Sequence, residues 1–296
     1  MIRLSRRGVL IGAAALATST LPAASATGTQ YDLKGRLQDL ERDKDCRIGA
    51  YALDVGNGRT VRYRGDERFP VLSTFKAFLG AAMLDRSRYC EPGLLRKRLT
   101  WAKADLVANS PITSQHIDDG LTVAELCWAA ICVSDNTAAN VLLKQIGGPD
   151  GLTCFIRRLG DPVTRLDRWE IELNNWSPSE RRDTTTPTAA GRSLRMLTVG
   201  GGLHPADRTA LIAWMRAART GGKRIRAGLP KTWIVGDKTG TSSSYGSAND
   251  IAIAHPRSGA PLILAIYTNR SQPTQVTDEA IIASTATALA QALGRR

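Results

Sequence analysis

The residues best suited to chemistry in this chain are a serine and a lysine three positions apart. Ser73 and Lys76 lie in the stretch Val71-Leu72-Ser73-Thr74-Phe75-Lys76-Ala77-Phe78-Leu79-Gly80-Ala81-Ala82-Met83-Leu84. Lys76 is the one charge between Arg68 and Asp85. The stretch is apolar on nearly every side, which predicts one helix buried in the middle of a domain. Pro70 sits just ahead, and Ser73 is a natural residue for the helix start. On a helix, Lys76 falls one turn from Ser73 on the same face. Burial penalises an ammonium and lowers its pKa. A lysine so tuned beside a serine hydroxyl can make a nucleophile. Backbone N–H groups at the helix terminus favour a developing oxyanion. The plain alternative is a capping serine and a lysine that snorkels to water. A spacing this common favours that alternative when it stands alone, so the rest of the chain decides.

The elements that must position these residues can be read in outline. Leu33, Leu37 and Leu40 predict a helix from Tyr31 to Lys44. Ile48 to Val55 alternates as a strand, Gly56-Asn57-Gly58 is a hairpin turn, and Thr60 to Arg64 is the returning strand. After the buried helix, Leu99 to Ser114 is loop-rich and contains Asn109-Ser110-Pro111. Thr122 to Val133 is a second apolar helix that stops at Ser134-Asp135-Asn136, and Thr137 to Ile146 resumes as helix. Leu152 to Leu159 is a short helix closed by Gly160. Asp161 to Thr186 has no periodicity, and irregular stretches of this length in a compact domain are usually functional. Helices follow from Pro187 to about Leu197 and from Pro205 to Arg219. Thr232 to Thr241, Asp250 to His255 and Leu262 to Tyr267 are strands, and Thr277 to Leu293 is a closing amphipathic helix.

No strand–helix–strand alternation suggests a doubly wound parallel sheet. The economical arrangement is an α+β fold: a five-stranded antiparallel sheet flanked by helices, built from both ends of the chain, with an all-helical domain inserted between them. The expected boundaries are 27–66 with 216–296 for the sheet domain and 67–215 for the helical one. Residues 1–26 have the form of an export signal. Ser5-Arg6-Arg7 precedes an apolar run from Gly8 to Leu16, and Ala24-Ser25-Ala26 is a small-residue cleavage site. The run is too short to span a bilayer, and the adjacent arginines resemble a twin-arginine signal. No cysteine follows the cleavage site, so no membrane anchor is indicated, and the mature protein is expected in the periplasm or outside the cell as a soluble monomer.

The formal charge is +13, and loss of the three arginines in the signal would leave +10. A basic balance can mark a nucleic-acid partner. Here the charges are scattered, with no Lys/Arg run and no aromatic-interleaved patch, which argues against nucleic acid. The five cysteines form no C-x-x-C, and the three histidines are far apart, so no metal site or cofactor is expected. Most of these cysteines lie in apolar stretches, which predicts small buried hydrophobes.

Three short motifs then occur in order: Ser73-x-x-Lys76, Ser134-Asp135-Asn136 and Lys238-Thr239-Gly240. Together they resemble the signature of class A β-lactamases and penicillin-binding proteins, over the whole mature chain. The resemblance implies an active site at the junction of two domains and a β-lactam as small-molecule substrate. It implies Ser73 as nucleophile, Lys76 as base or proton relay, and Ser134 as proton donor to the departing nitrogen. The backbone N–H groups of Ser73 and Thr241 would form the oxyanion hole. Asn136 would bind the substrate's side-chain amide, and Lys238, Thr239 and Thr241 its carboxylate.

Arg168-Trp169-Glu170-Ile171-Glu172-Leu173-Asn174 resembles the class A omega-loop motif, within a loop of about 165–183. Glu170 would be the base for a deacylating water and Asn174 its second holder. Asp183 matches the acidic partner of Arg168 across the neck of the loop. This pair separates a β-lactamase from a D-alanyl-D-alanine peptidase or a β-lactam sensor, which need the acylation parts alone. Arg224 resembles the arginine that some class A enzymes direct at the carboxylate. Others supply it from the strand after Lys-Thr-Gly, where this chain has Ala248. Asn109 stands where the family commonly has an aromatic gatekeeper, a departure expected to widen the cleft mouth. Cys127 has no cysteine partner near Gly80, and the cysteine pair of one carbapenemase group is replaced by Leu72 and Ser242.

Overall fold

The computed structural model describes residues 32–295. The expected signal peptide lies outside the described residues. In chain order the strands are β1 (Cys46–Asp54), β2 (Thr60–Tyr63), β3 (Phe69–Pro70), β4 (Arg98–Leu99), β5 (Leu121–Thr122), β6 (Thr184–Thr185), β7 (Ile234–Thr241), β8 (Ala248–His255) and β9 (Leu262–Arg270). The helices are α1 (Leu33–Lys44), α2 (Phe75–Tyr89), α3 (Val123–Cys132), α4 (Asn136–Lys144), α5 (Gly148–Arg158), α6 (Pro187–Thr198), α7 (Pro205–Arg216), α8 (Ile225–Gly228) and α9 (Glu279–Ala292). The principal sheet has the order β2-β1-β9-β8-β7 and is antiparallel throughout. Its central pairing joins the two ends of the fold, with Cys46 opposite Arg270 and Asp54 opposite Leu262. The five-stranded α+β architecture is the expected one.

Strand β1 does not alternate between core and solvent, because both of its faces are covered. Tyr51 and Leu53 join a core with Phe75, Phe78 and Leu79 of α2 and Leu194 of α6. Ile48, Ala50 and Ala52 point the other way and are equally buried, and α1 and α9 pack against this strand. A strand covered on both faces needs a nearly continuous apolar run. Two-residue pairings complete the frame. Phe69 and Pro70 pair with Thr185 and Thr184, which ties the approach to Ser73 to the far end of the irregular loop.

The expected single helix from Val71 to Leu84 is in two pieces. Leu72–Thr74 forms a 3-10 turn and α2 begins at Phe75. Ser73 makes no capping hydrogen bond, so its hydroxyl is left for other partners. Every residue of α2 from Phe75 to Leu84 is buried, as the apolar composition requires. Asp135 caps α4, accepting from the N–H of Ala138 at 2.8 Å. It also accepts from Ile112 N, Thr113 N and Thr113 Oγ1, and so holds the loop that carries Asn109.

All five cysteines are free thiols, and only Cys127 and Cys132 are buried. Cys90 and Cys154 are exposed, because one ends α2 and the other lies on the outer side of α5. Burial pushes the Cys132 thiol up to about 11 and the half-buried Cys46 thiol up to about 12.

Candidate active site

Ser73 sits where the 3-10 turn meets the end of β7. A Cβ on Gly240 would lie 2.8 Å from Leu72 Cβ and 3.2 Å from Ser73 N. Only a residue without a side chain lets the strand approach the turn this closely. That approach brings Ser73, Thr239 and Thr241 to one cleft of about 560 Å³, with Asn109, Ser134, Asn136, Asn174 and Arg224.

Lys76 lies directly behind the serine and is fully buried. Its Nζ donates to Ser73 Oγ at 3.0 Å, Ser134 O at 3.0 Å and Asn136 Oδ1 at 2.5 Å. The same Nζ is 2.9 Å from Glu170 Oε1, and both side chains are closed to solvent. Burial lowers the pKa of Lys76, and the Glu170 carboxylate opposes that shift. Ser73 Oγ lies 3.3 Å from Glu170 Oε1. The serine hydroxyl therefore has an amine and a carboxylate within proton-transfer reach.

Glu170 is held by two asparagines. Asn174 Nδ2 donates to Glu170 Oε2 at 2.7 Å. The side-chain amide of Asn140 accepts from Glu170 N at 3.0 Å and donates to Glu170 O at 2.8 Å. The neck of the loop is closed by Arg168 Nε on Asp183 Oδ2 at 2.5 Å. Asp183 Oδ1 also accepts the N–H groups of Asp167 and Arg168 at 2.7 and 2.9 Å. A buried carboxylate that accepts three charge-assisted bonds fixes the loop ends, and Leu166 and Leu173 pack into the main core beside it.

Ser134 Oγ accepts from Lys238 Nζ at 3.0 Å and lies 3.4 Å from Lys76 Nζ. Ser134 has a positive φ of 61°, which turns its hydroxyl between the two amines. Lys238 is fully buried and does not line the cleft, so its charge reaches the cleft through the hydroxyl of Ser134 and the field. Burial, with Lys76 next, pushes its pKa down to about 7.

Arg224 is 3 % exposed. Its Nη1 donates to the carbonyls of Gly240 and Asn249 at 2.7 and 2.8 Å, and its Nη2 to Thr241 Oγ1 at 2.6 Å. Nε donates to Glu279 Oε1 at 2.9 Å. Four of its five N–H groups are thus in use, and one on Nη2 is left for a ligand. Asn109 has a φ of 60°, a conformation asparagine tolerates, and donates from Nδ2 to Ser134 O at 3.1 Å.

A serine, a buried lysine and a carboxylate in mutual contact are accompanied by likeness along the whole described chain. A sequence model described as "Beta-lactamase enzyme family" matches residues 32–293. The chain belongs to the class A serine β-lactamases. It is 48% identical to a "Carbapenem-hydrolyzing beta-lactamase KPC" of Klebsiella oxytoca, over 86% of this chain and 87% of that protein. It is 45% identical to "Beta-lactamase AST-1" of Nocardia asteroides, over 94% and 89%. Among solved structures, a β-lactamase from Streptosporangium roseum superposes with a TM-score of 0.88 at 57% identity, covering 88% of this chain and 98% of that one. The class A β-lactamase of the last common ancestor of Gram-negative bacteria gives 0.84 at 50% identity, covering 88% and 99%.

Within this β-lactamase, sequence reasoning missed Asn140, Glu279 and Thr220. Asn140 follows Asn136 by one helical turn, and a second asparagine on that face of α4 was the signal available. Thr220 Oγ1 bonds Thr239 Oγ1 at 2.6 Å. Glu279 begins the last helix and meets Arg224 only through the fold, with no local pattern to announce it. No helix among the described residues is long and apolar enough to cross a membrane.

Proposed function

We propose that Ser73 opens the β-lactam ring and that Glu170 directs water at the resulting ester. The reaction of the enzyme is hydrolysis of the amide bond of penicillins and cephalosporins through a serine acyl-enzyme, and its consequence is antibiotic resistance. In the first half, Ser73 Oγ attacks the lactam carbonyl carbon and gives its proton to Lys76 or, through a water, to Glu170. The N–H groups of Ser73 and Thr241 receive the oxyanion. The C–N bond breaks, and Ser134 supplies the nitrogen's proton, restored from Lys76. Asn136 takes the side-chain amide. Lys238, Thr239, Thr241 and the spare N–H of Arg224 draw the substrate carboxylate. In the second half, Glu170 takes a proton from water held with Asn174. The hydroxide attacks the ester carbonyl, and Ser73 leaves with its proton returned.

The observation that carries this reading is Glu170 beside both Ser73 Oγ and Lys76 Nζ, with Asn174 on its other oxygen. An acylating peptidase or sensor has no need of a carboxylate there. The reading extends to a sheet domain of 27–66 with 216–296 around a helical domain of 67–215, to export, and to a monomer without nucleic-acid partners. Rapid turnover of a chromogenic cephalosporin, with no adduct on Ser73 at steady state, is the expected result. Wild-type protein that stays acylated for hours would be a penicillin-binding protein or sensor.

A further inference from the structure

The wall of the cleft formed by the omega loop is fastened to the β7–β8 turn at two points. Asn174, which lines the cleft, accepts from Ser242 Oγ at its carbonyl oxygen, at 2.9 Å. Two residues on, Trp176 packs edge-on against the ring of Tyr245, with centroids 5.9 Å apart and planes at 77°. Trp176 is 5 % exposed, and its Nε1 has no hydrogen-bond partner among the described residues, so packing alone keeps the ring in place. Tyr245 has a φ of 53° and a ψ of 31°. A bulky aromatic residue rarely adopts that left-handed conformation without a compensating contact. Its N–H donates to Pro273 O at 3.1 Å, which anchors the turn to the segment after β9.

We propose that the Trp176–Tyr245 pair is a clasp that sets the clearance of the cleft for the substrate's amide side chain and keeps Asn174 against Glu170. The proposal rests on the β-lactamase reading above. With the amide at Asn136, the substituent beyond it runs between the Asn174 wall and the end of β7, because these line the same cleft. A compact substituent passes with the clasp closed. A branched one requires the loop to part from the turn. The same movement draws Asn174 Nδ2 away from Glu170 Oε2, now 2.7 Å apart, and misplaces the base for the deacylating water. Room for bulky side chains and speed of deacylation are therefore opposed in this enzyme. Trp176 and Tyr245 are positioning residues, since neither lines the cleft nor touches Glu170.

The test compares Tyr245→Ala, Tyr245→Phe and Trp176→Phe with wild type, using benzylpenicillin and a cephalosporin with a branched, bulky side chain. For Tyr245→Ala the ratio of kcat/KM, bulky over compact, should rise about tenfold, the upper range for loss of one aromatic pair. Intact mass should show benzylpenicillin acyl-enzyme accumulating at steady state. Tyr245→Phe keeps the ring and should match wild type in both measurements, and Trp176→Phe should fall between. A folded Tyr245→Ala with an unchanged ratio and no accumulating adduct overturns the proposal. If Tyr245→Ala does not fold, an unchanged ratio in Trp176→Phe overturns it equally. Failure of wild type to turn over benzylpenicillin would instead strike the parent reading.

Discussion

Replacing Glu170 with glutamine separates the two halves of the reaction, and the structure says how. The side chain keeps its length but has one oxygen where the carboxylate has two. Asn174 Nδ2 already donates to Oε2 at 2.7 Å, so the amide oxygen belongs on that side. The new NH2 then faces Lys76 Nζ and Ser73 Oγ, where Oε1 stood at 2.9 and 3.3 Å. Two donors opposed in a closed site repel unless Lys76 gives up a proton, and burial already drives it that way. A neutral Lys76 at 3.0 Å from Ser73 Oγ can accept the serine proton, so acylation should survive. Deacylation has no comparable substitute. Loss of a general base slows a step by about 10²–10⁴, or about 2.7–5.4 kcal/mol of barrier. Mixing Glu170→Gln with benzylpenicillin should give a burst of one equivalent, followed by a stable mass increase equal to the whole substrate. Turnover within about threefold of wild type would refute the role of Glu170, since general-base loss predicts far more. Failure to acylate at all would refute Lys76 as a sufficient base.

Three further outcomes follow from named contacts. Arg224→Ala should raise KM more than it lowers kcat, and kcat/KM for a carboxylate-bearing substrate should fall roughly 10- to 150-fold, the worth of one charge-assisted hydrogen bond; an unchanged value would mean that the spare N–H meets no ligand. Lys238 holds its proton below about pH 7 and loses it above, so kcat/KM should show a basic limb there. Lys238→Arg should move that limb upward, since a guanidinium stays charged, and a profile without such a limb would refute the assignment. Asn109→Tyr should tighten benzylpenicillin by about 0.5–1.5 kcal/mol through stacking and lower Tm, because a tyrosine is strained at this φ of 60°; a KM indifferent to the change would place the side chain away from substrate.

Much of the site was legible because its parts are local motifs. Ser73 and Lys76 are three residues apart, so nearly any helical geometry makes them neighbours. Ser134 falls where one apolar helix stops and the next begins, an interruption readable from the sequence. Long-range facts were not legible in the same way. The resemblance named Glu170 as a base, but its 2.9 Å approach to Lys76 depends on how the irregular loop folds back. Lys238 was read as drawing the substrate carboxylate, but its donation to Ser134 Oγ at 3.0 Å depends on β7 meeting the loop between α3 and α4. Arg224 was read as facing substrate, yet most of its donors serve Gly240, Asn249, Thr241 and Glu279. The strand β1 was misread as alternating because α6 and α9, which help α1 cover its two faces, come from distant segments. Most of the cysteines were expected to be buried, whereas only Cys127 and Cys132 are, because Cys90 follows the charged end of α2 and Cys154 lies on the outer side of α5.

The pairing of β1 with β9 has a bearing on how the chain must be assembled. The sheet's middle joins the first strand to the last, so the β1–β2 and β7–β8 hairpins have no shared backbone partner until β9 exists. Closing so long a loop is entropically demanding, and contacts of this kind form slowly. The helices between them are contiguous in sequence and can condense earlier around α2. A ribosome-bound chain lacking β9 therefore presents two incomplete sheet edges, the kind of surface on which unfinished chains pair with one another. The appearance of β9, rather than that of the nucleophile helix, is the point at which the sheet of this protein can close.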